Sequence, residues 1–374
     1  YTTNYEWKTA PPATTFLGNE IQNSQVYSVN GQFNMVTLYN KVPYLRDVNR
    51  GRRSKPKKNS DSTPPDDPKK KKDDDQLKGA GPFMARLLMS VKSANFNYSV
   101  TNGMYLPGFM GSTEYLGNDF NLDAPGLPFV FGSQDGNIRY RLADMGLISR
   151  DMSLFNQFSQ KSSTTLSTKA TLEPIRDLRI DLAANRNTIN ALTSTFKVDS
   201  SEQFTDLGLQ ESGSYVVSII TIRTAFDKVN KQGKSETFTR FENYRYTLSQ
   251  RIALEQGADP TVLDPDGYIK GYGKKSQDVL IGAFLSAYTG TKPGEQKLNP
   301  FPRIPLPGWN VTYSGLNRNK ELAKIFTNIT LRHSYNSSYT AQNFTTPLST
   351  GDTNSAGNVL PRYAIRTISI SEQL

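Results

Sequence analysis

The stretch DLRIDLAANRN, residues 177–187, decides how the rest of the chain is read. Leu178, Ile180, Leu182 and Ala184 fall on one phase of a period of two, and Arg179, Asp181, Ala183 and Asn185 on the other. Successive side chains of a strand point to opposite faces, so this is a strand with one apolar and one wet face. What the apolar face meets, a protein core or lipid, is the question the rest of the sequence has to answer.

Working outward, period-two segments recur at 1–8, 24–40, 84–102, 162–172, 213–226, 309–315, 327–340 and 361–371. Several reach the ~9–11 residues that a tilted strand needs to cross a bilayer. In LRHSYNSSY (331–339), Leu331, His333 and Tyr335 share a face with Ile329, while Thr330, Arg332, Ser334 and Asn336 share the other. In RLLMSVKSANFNYSV (86–100) the apolar phase slips by one residue, which predicts a bulge near Ser93.

Two segments carry a helical period instead. Phe241, Tyr244, Leu248 and Ile252 are spaced by three and four, and SQDVLIGAFLSAYTG offers Ser276 as a cap, a stripe of Val279, Leu280, Ala283, Phe284 and Ala287, and Gly290 as a stop. Both lie in a long connection, 227–308; a second, 103–161, is dense in Gly, Pro and aromatic residues. Phe109, Tyr115, Phe129 and Phe131 in the first of these along the chain, and Leu280, Phe284 and Trp309 around the second, need apolar partners. Both connections are therefore expected to be ordered. Excursions of this size are uncommon in soluble sandwiches and usual in large membrane barrels.

Composition narrows the classes. Of 374 residues 36% are hydrophobic, mean hydropathy is −0.56, and 19 Tyr and 19 Phe stand among abundant Asn, Ser and Thr. Polar residues mixed with aromatics suit half-wet strands. Cysteine is absent, which excludes disulfide frameworks, zinc fingers and thiol catalysis. The five Asn-x-Ser/Thr sites at Asn97, Asn310, Asn328, Asn336 and Asn343 are the chance yield of an Asn/Thr-rich chain. No run approaches the ~18–20 apolar residues of a membrane helix, so a membrane location requires strands. The chain opens at Tyr1 within a strand-like segment and ends in another, as expected of a piece of something longer.

The net charge of +10 is not evenly spread: between Arg46 and Lys78 lies a Lys/Arg/Asp/Pro-rich segment with hardly an apolar residue. Such a segment cannot bury enough surface to order itself. It reads as a solvated connection rather than a polyanion-binding arm, because Asp runs interleave with the Lys runs and no aromatic punctuates them. No catalytic constellation emerges. The single histidine, His333, sits mid-strand; GYIKGYGKKS (267–276) has five residues rather than four between its glycines; Glu173 and Asp177 flank a turn, EPIRD. The expectation is a non-enzyme without metal or cofactor.

The stretches TNGMYLPGFM (101–110), APGLPFVFG (124–132), ATLEPIRDLRIDLAANRN (170–187), KKSQDVLIGAFLSAYTG (274–290), LNPFPRIPLPGWNVTYSGL (298–316), LRHSYNSSY (331–339) and RTISISEQ (366–373) resemble the SprA/Sov family. That family forms the outer-membrane translocon of the type 9 secretion system of Bacteroidota. The resemblance runs from residue 101 nearly to the end; residues 1–40 match less distinctly and 50–78 not at all. It implies a C-terminal portion of a much longer chain that forms a very large barrel passing folded cargo with a C-terminal secretion signal across the bacterial outer membrane. Its partners are a PorV-type shuttle β-barrel, a plug protein, secreted cargo and membrane lipid, with no nucleic acid. On this reading the apolar face, with Leu178, Ile180, Leu182, Ile329, Leu331 and Tyr335, meets lipid. The wet face, with Arg179, Asp181, Asn185, Arg332, Ser334 and Asn336, lines an aqueous lumen.

The expected fold is thus all-β with helical insertions, a segment of a very large transmembrane antiparallel β-barrel. Its parts are barrel strands at 1–45, a polybasic flexible linker at 46–80, a strand at 81–102, the insertion 103–161, strands at 162–226, the helical insertion 227–308 and strands at 309–374. Two alternatives remain, a smaller outer-membrane porin or receptor barrel and a surface β-sandwich adhesin. One conflict remains too. The two shortest connections, after the fourth and seventh segments, fall at opposite ends if every segment crosses, whereas bacterial barrels keep short turns on one side.

Overall fold

The computed structural model describes residues 1–43, 45–46, 89–224, 226–229, 235–295, 301–346 and 364–373. The polybasic stretch lies outside the described residues. Among the described residues nine strands form one antiparallel sheet: β1 (Thr2–Lys8), β2 (Asn19–Asn34), β3 (Val91–Phe109), β4 (Phe158–Leu172), β5 (Leu178–Val198), β6 (Phe204–Ser218), β7 (Gly308–Tyr313), β8 (Leu331–Thr346) and β9 (Ala364–Gln373). Neighbours in sequence are neighbours in space from β1 to β6. An antiparallel sheet with helical insertions is what the periodicity predicts. No helix among the described residues is long and apolar enough to cross a membrane.

The strands run further than their sequence segments. β3 continues to Phe109 and β4 begins at Phe158, so both ends of the expected 103–161 insertion are strand. β5 does not stop at Asn187; it reaches Val198 and turns through 199–203 straight into β6. There Asp199 Oδ1 accepts the Ser201 and Gln203 amides at 2.8 and 3.1 Å, the local bonding that lets an Asp start a tight turn. The slip near Ser93 is real: the β3–β4 register shifts between Val91 and Ser93.

β6 and β7 occupy one line of the sheet. The second half of β5, from Arg186, pairs with β6, and its first residues, Leu178 to Ala183, pair with β7. β8 pairs with both in the same way. The excursion 219–307 thus interrupts a single strand position. This removes one crossing from the count, and the connections 173–177 and 314–330 come to lie at the same end of the sheet, here the lower end. The five-residue turn 199–203 lies at the upper end together with the excursion 110–157, so short turns occur at both ends.

Gly308, where the chain rejoins, has no room for a side chain: a Cβ there would lie 2.4 Å from Asn336 Oδ1 and 2.6 Å from the Tyr335 carbonyl oxygen. The departing end is held by a buried cluster. Tyr335 Oη accepts the Thr221 amide at 2.7 Å, Thr221 Oγ1 lies 2.9 Å from Ser337 Oγ, and Trp309 stacks on Tyr335 with ring centroids 4.5 Å apart.

Both excursions fold back onto one face of the sheet. Residues 110–157, with α2 (Leu127–Val130) and α3 (Ile138–Asp144), following the short α1 (Met35–Tyr39) in chain order, bury Phe129, Ile138, Leu142 and Ile148 against Ile21, Met104, Leu106 and Phe196. Residues 219–307 supply α4 (Glu236–Glu255) and α5 (Gln277–Thr289). α5 is the middle of three layers: Ile281 and Leu285 meet the sheet at Tyr215, Val217 and Tyr339, whereas Val279 and Ala283 meet Leu248 and Ile252 of α4. Burial on two sides leaves Leu280 and Phe284 half-exposed, so the packing stripe is rotated from the predicted one. Ser276 is the N-cap by position but makes no side-chain cap bond; Gly290 ends the helix in the left-handed region at φ 70°.

Candidate functional site

The register places every strand residue on one of two faces. Leu178, Ile180 and Leu182 of β5 pair with Tyr313, Val311 and Trp309 of β7, which pair in turn with Leu331, His333 and Tyr335 of β8. On the other side, Ile180, Leu182 and Ala184 pair with Leu172, Ala170 and Thr168 of β4. The phase runs on through Ala94, Phe96, Tyr98 and Val100 of β3 to Phe33, Val29 and Tyr27 of β2. From Leu178 to Ala184 this apolar band is six residue steps, ~20 Å along the strand. Val29, Phe33 and Leu331 are 54%, 53% and 55% exposed. At the lower end the connections add further exposed apolar side chains, Leu38, Val42, Ile175, Ile325 and Phe326.

The opposite face is mostly polar, in rows of Ser, Thr, Asn and Gln interrupted by a few apolar side chains such as Ile189 and Val216. It holds all six residues expected there: Arg179, Asp181 and Asn185 on β5, and Arg332, Ser334 and Asn336 on β8. Its side chains bind one another across and along the strands. Ser167 bonds Asn185 at 2.7 Å, Thr171 bonds Asp181 at 2.7 Å, and Arg179 holds Asp181 through Nε at 2.8 Å.

Four placements differ from the sequence reading. Tyr335 has the expected phase but is fully buried under Trp309 and Thr221, so it has no surface left for lipid. Ile329 precedes β8 in an irregular stretch and has no strand face. Phe131 is 58% exposed instead of packed, and Tyr115, also exposed, packs edge-on against Phe120. Phe109 and Phe129 are buried as expected, although Phe109 belongs to a strand; Trp309 is likewise a strand residue, on β7.

Between the band and the core under residues 110–157, the apolar face turns polar for one belt: Asn102 of β3, Ser162 and Thr164 of β4, and Thr188 and Asn190 of β5. The belt floors a trough. One cavity of about 360 Å³ runs from Thr164, Thr188 and Asn190 to a wall of Tyr215, Phe301 and Phe344; a second, of about 260 Å³, continues to Asn102 and Gln134 and shares Asn190 and Glu211 with the first. The loop 301–303 is pinned over it by Arg186, which donates to the Arg303 carbonyl at 2.6 Å, and by the Tyr215 hydroxyl on the Pro302 carbonyl. The sequence carried this signal: the Leu178–Ala184 phase continues as Arg186, Thr188 and Asn190 before returning to Leu192, Phe196 and Val198.

A buried ion pair fixes the upper edge. Arg139 of α3 bonds Asp206 of β6 at 2.8 Å, both side chains 9% exposed, and its guanidinium lies 4.6 Å from the Phe158 ring centre. Tyr140 also donates to Asp206, and that hydrogen bond holds its phenol above the usual range. No group of three or more potential metal ligands occurs among the described residues. No protein-family model matches this chain, and no curated protein matches its sequence.

Proposed function

We propose that this chain is part of the wall of a large outer-membrane β-barrel that conducts folded proteins, the translocon of the SprA/Sov type expected from the sequence motifs. The observation that carries the reading is the division of the sheet into a polar face and a face with a continuous apolar band, on strands as long as 19 and 21 residues. Crossing a bilayer takes ~9–11 residues of tilted strand, so these strands cross and continue into the space beyond.

The apolar band is the crossing part. In a sandwich adhesin it would be buried against a second sheet, yet no second sheet covers it among the described residues and several of its side chains are more than half exposed. The hydroxyl- and amide-rich face suits a wall along which other proteins slide. Its polar groups bond one another and water, and its few exposed large apolar side chains, Ile189, Leu207 and Val216, pair with Ser214, Thr195 and Asn187 across the strands rather than with one another. The excursions, packed on the apolar side above the band, stiffen the wall outside the bilayer and give surface to the shuttle and plug partners. Lipid, cargo and these partners complete the assignment, with no catalytic step.

These 374 residues contain no cysteine, so single-cysteine probing needs only cysteines outside them, if present, replaced. Ser334→Cys in the full-length protein is expected to react with a membrane-impermeant maleimide and, carrying a photo-crosslinker, to capture cargo in secreting cells. Leu331→Cys is expected to do neither and to react with a lipid-soluble reagent. Cargo captured equally from both positions would overturn the reading.

A further inference from the structure

The polar belt on the apolar face matches neither the band below it nor the core above it. Asn102, Ser162, Thr164, Thr188, Asn190 and Glu211 are half-buried, and none makes a side-chain hydrogen bond to another described residue. On the opposite face, polar side chains of the same strands, such as Ser167 and Asn185, bond each other. Polar groups drawn out of bulk water and left without protein partners need a ligand or ordered water to meet their bonds.

The composition of the trough defines what fits. Its floor is hydroxyls and carboxamides, which both donate and accept. One carboxylate, Glu211, accepts from paired hydroxyls, and Phe301, packed edge-on against Tyr215 at 5.2 Å and tilted against Phe344 at 4.9 Å, offers a ring at the wall. An acyl chain finds no apolar floor here. The cations lie at the margins, Arg186 and Arg303 at the wall and Lys161 at the far end, while the belt residues of the floor carry no positive charge for a lone phosphate. A sugar, with many hydroxyls and an apolar ring face, satisfies floor and wall together.

Position narrows the ligand further. The belt begins one residue pair beyond the band, at Arg186 and Thr164 after Ala184 and Leu166, and on this face the edge of the hydrocarbon layer is where lipid headgroups lie. We infer that the trough seats the sugar headgroup of a glycolipid whose acyl chains run down the band beside Leu166, Leu182 and Tyr98. This inference rests on the reading of that face as lipid-facing.

The test uses the full-length protein in detergent with three probes: a lipooligosaccharide, its acid-released core oligosaccharide and dioleoyl phosphatidylglycerol. Native mass spectrometry and calorimetry are expected to show saturable binding of the first two and none of the sugar-free lipid. The double variant Thr188→Val/Asn190→Leu is expected to weaken both at least ~10-fold, and Glu211→Gln about as much for one charge-assisted bond, while assembly in the membrane is unchanged. Unchanged affinity in both variants, or phosphatidylglycerol bound as well as lipooligosaccharide, would overturn the sugar site. Binding of a Ser/Thr-rich extended peptide in place of either sugar probe would assign the trough to a protein segment and overturn it too. If the free oligosaccharide binds but the protein stays in solution without detergent, the glycolipid source and the lipid-facing reading fail together while the sugar chemistry stands.

Discussion

Replacing Ile180 by Arg puts the lipid assignment under direct test. Ile180 is flanked along β5 by Leu178 and Leu182 and across the sheet by Leu172 and Val311. Below it the apolar surface continues through the exposed Ile175, so it stands well inside the band rather than at its rim. A cationic side chain on the lipid face near the bilayer midplane costs ~2–4 kcal/mol, which is roughly 30- to 1,000-fold in the folding equilibrium. If the same face lay in water, Ile180, already half-exposed, would lose only part of its burial, about 1 kcal/mol. Its neighbour is the control. The Arg179 side chain is 58% exposed and pairs with Asp181 two residues along the same strand, so Arg179→Gln removes an exposed pair worth ~0–1 kcal/mol. The Asp181 carboxylate keeps its bond from Thr171. The assay is the denaturant midpoint of the membrane-inserted protein, read by the gel shift between folded and heat-unfolded forms. A large drop for Ile180→Arg beside a near-native Arg179→Gln is expected. Equal midpoints for the two variants would refute the lipid/lumen division of this strand.

Three further outcomes follow from the packing. Tyr335→Phe removes the acceptor of the Thr221 amide in a fully buried site; a loss of ~1–3 kcal/mol is expected, read as faster hydrogen exchange at the root of the 219–307 excursion with the sheet amides still protected. Arg139→Met strands the Asp206 carboxylate under α3; breaking a buried pair from one side costs ~3–5 kcal/mol, so limited proteolysis is expected to cut 110–157 while β1–β9 persist, and an uncut segment would argue against the latch. Deleting residues 54–76 is expected to leave the folded protein in the outer membrane, since the segment has no apolar surface to contribute; disappearance of the folded band would show that it is structural.

How much of this was legible without coordinates varies by element. Leu178–Ala184 and Leu331–Tyr335 announced their faces because a period of two is a local property of an extended backbone. For the same reason the bulge near Ser93 and the helix ending at Gly290 were readable. The belt at Arg186, Thr188 and Asn190 was equally written in the phase of β5, but it has meaning only once Ser162, Thr164 and Asn102 are seen to fall level with it across three strands.

Other features belong to the tertiary structure alone. That segments 213–226 and 309–315 share one line depends on β5 and β8 pairing with both, a non-local fact that no window of sequence contains. The rotation of the α5 stripe arises because the helix packs on two neighbours, α4 and the sheet, and a single amphipathic stripe encodes only one. Tyr335 kept its predicted phase and lost its predicted surroundings for the same reason. Local chemistry sets which way a side chain points, and only the elements folded over it determine whether it meets lipid, water or Thr221.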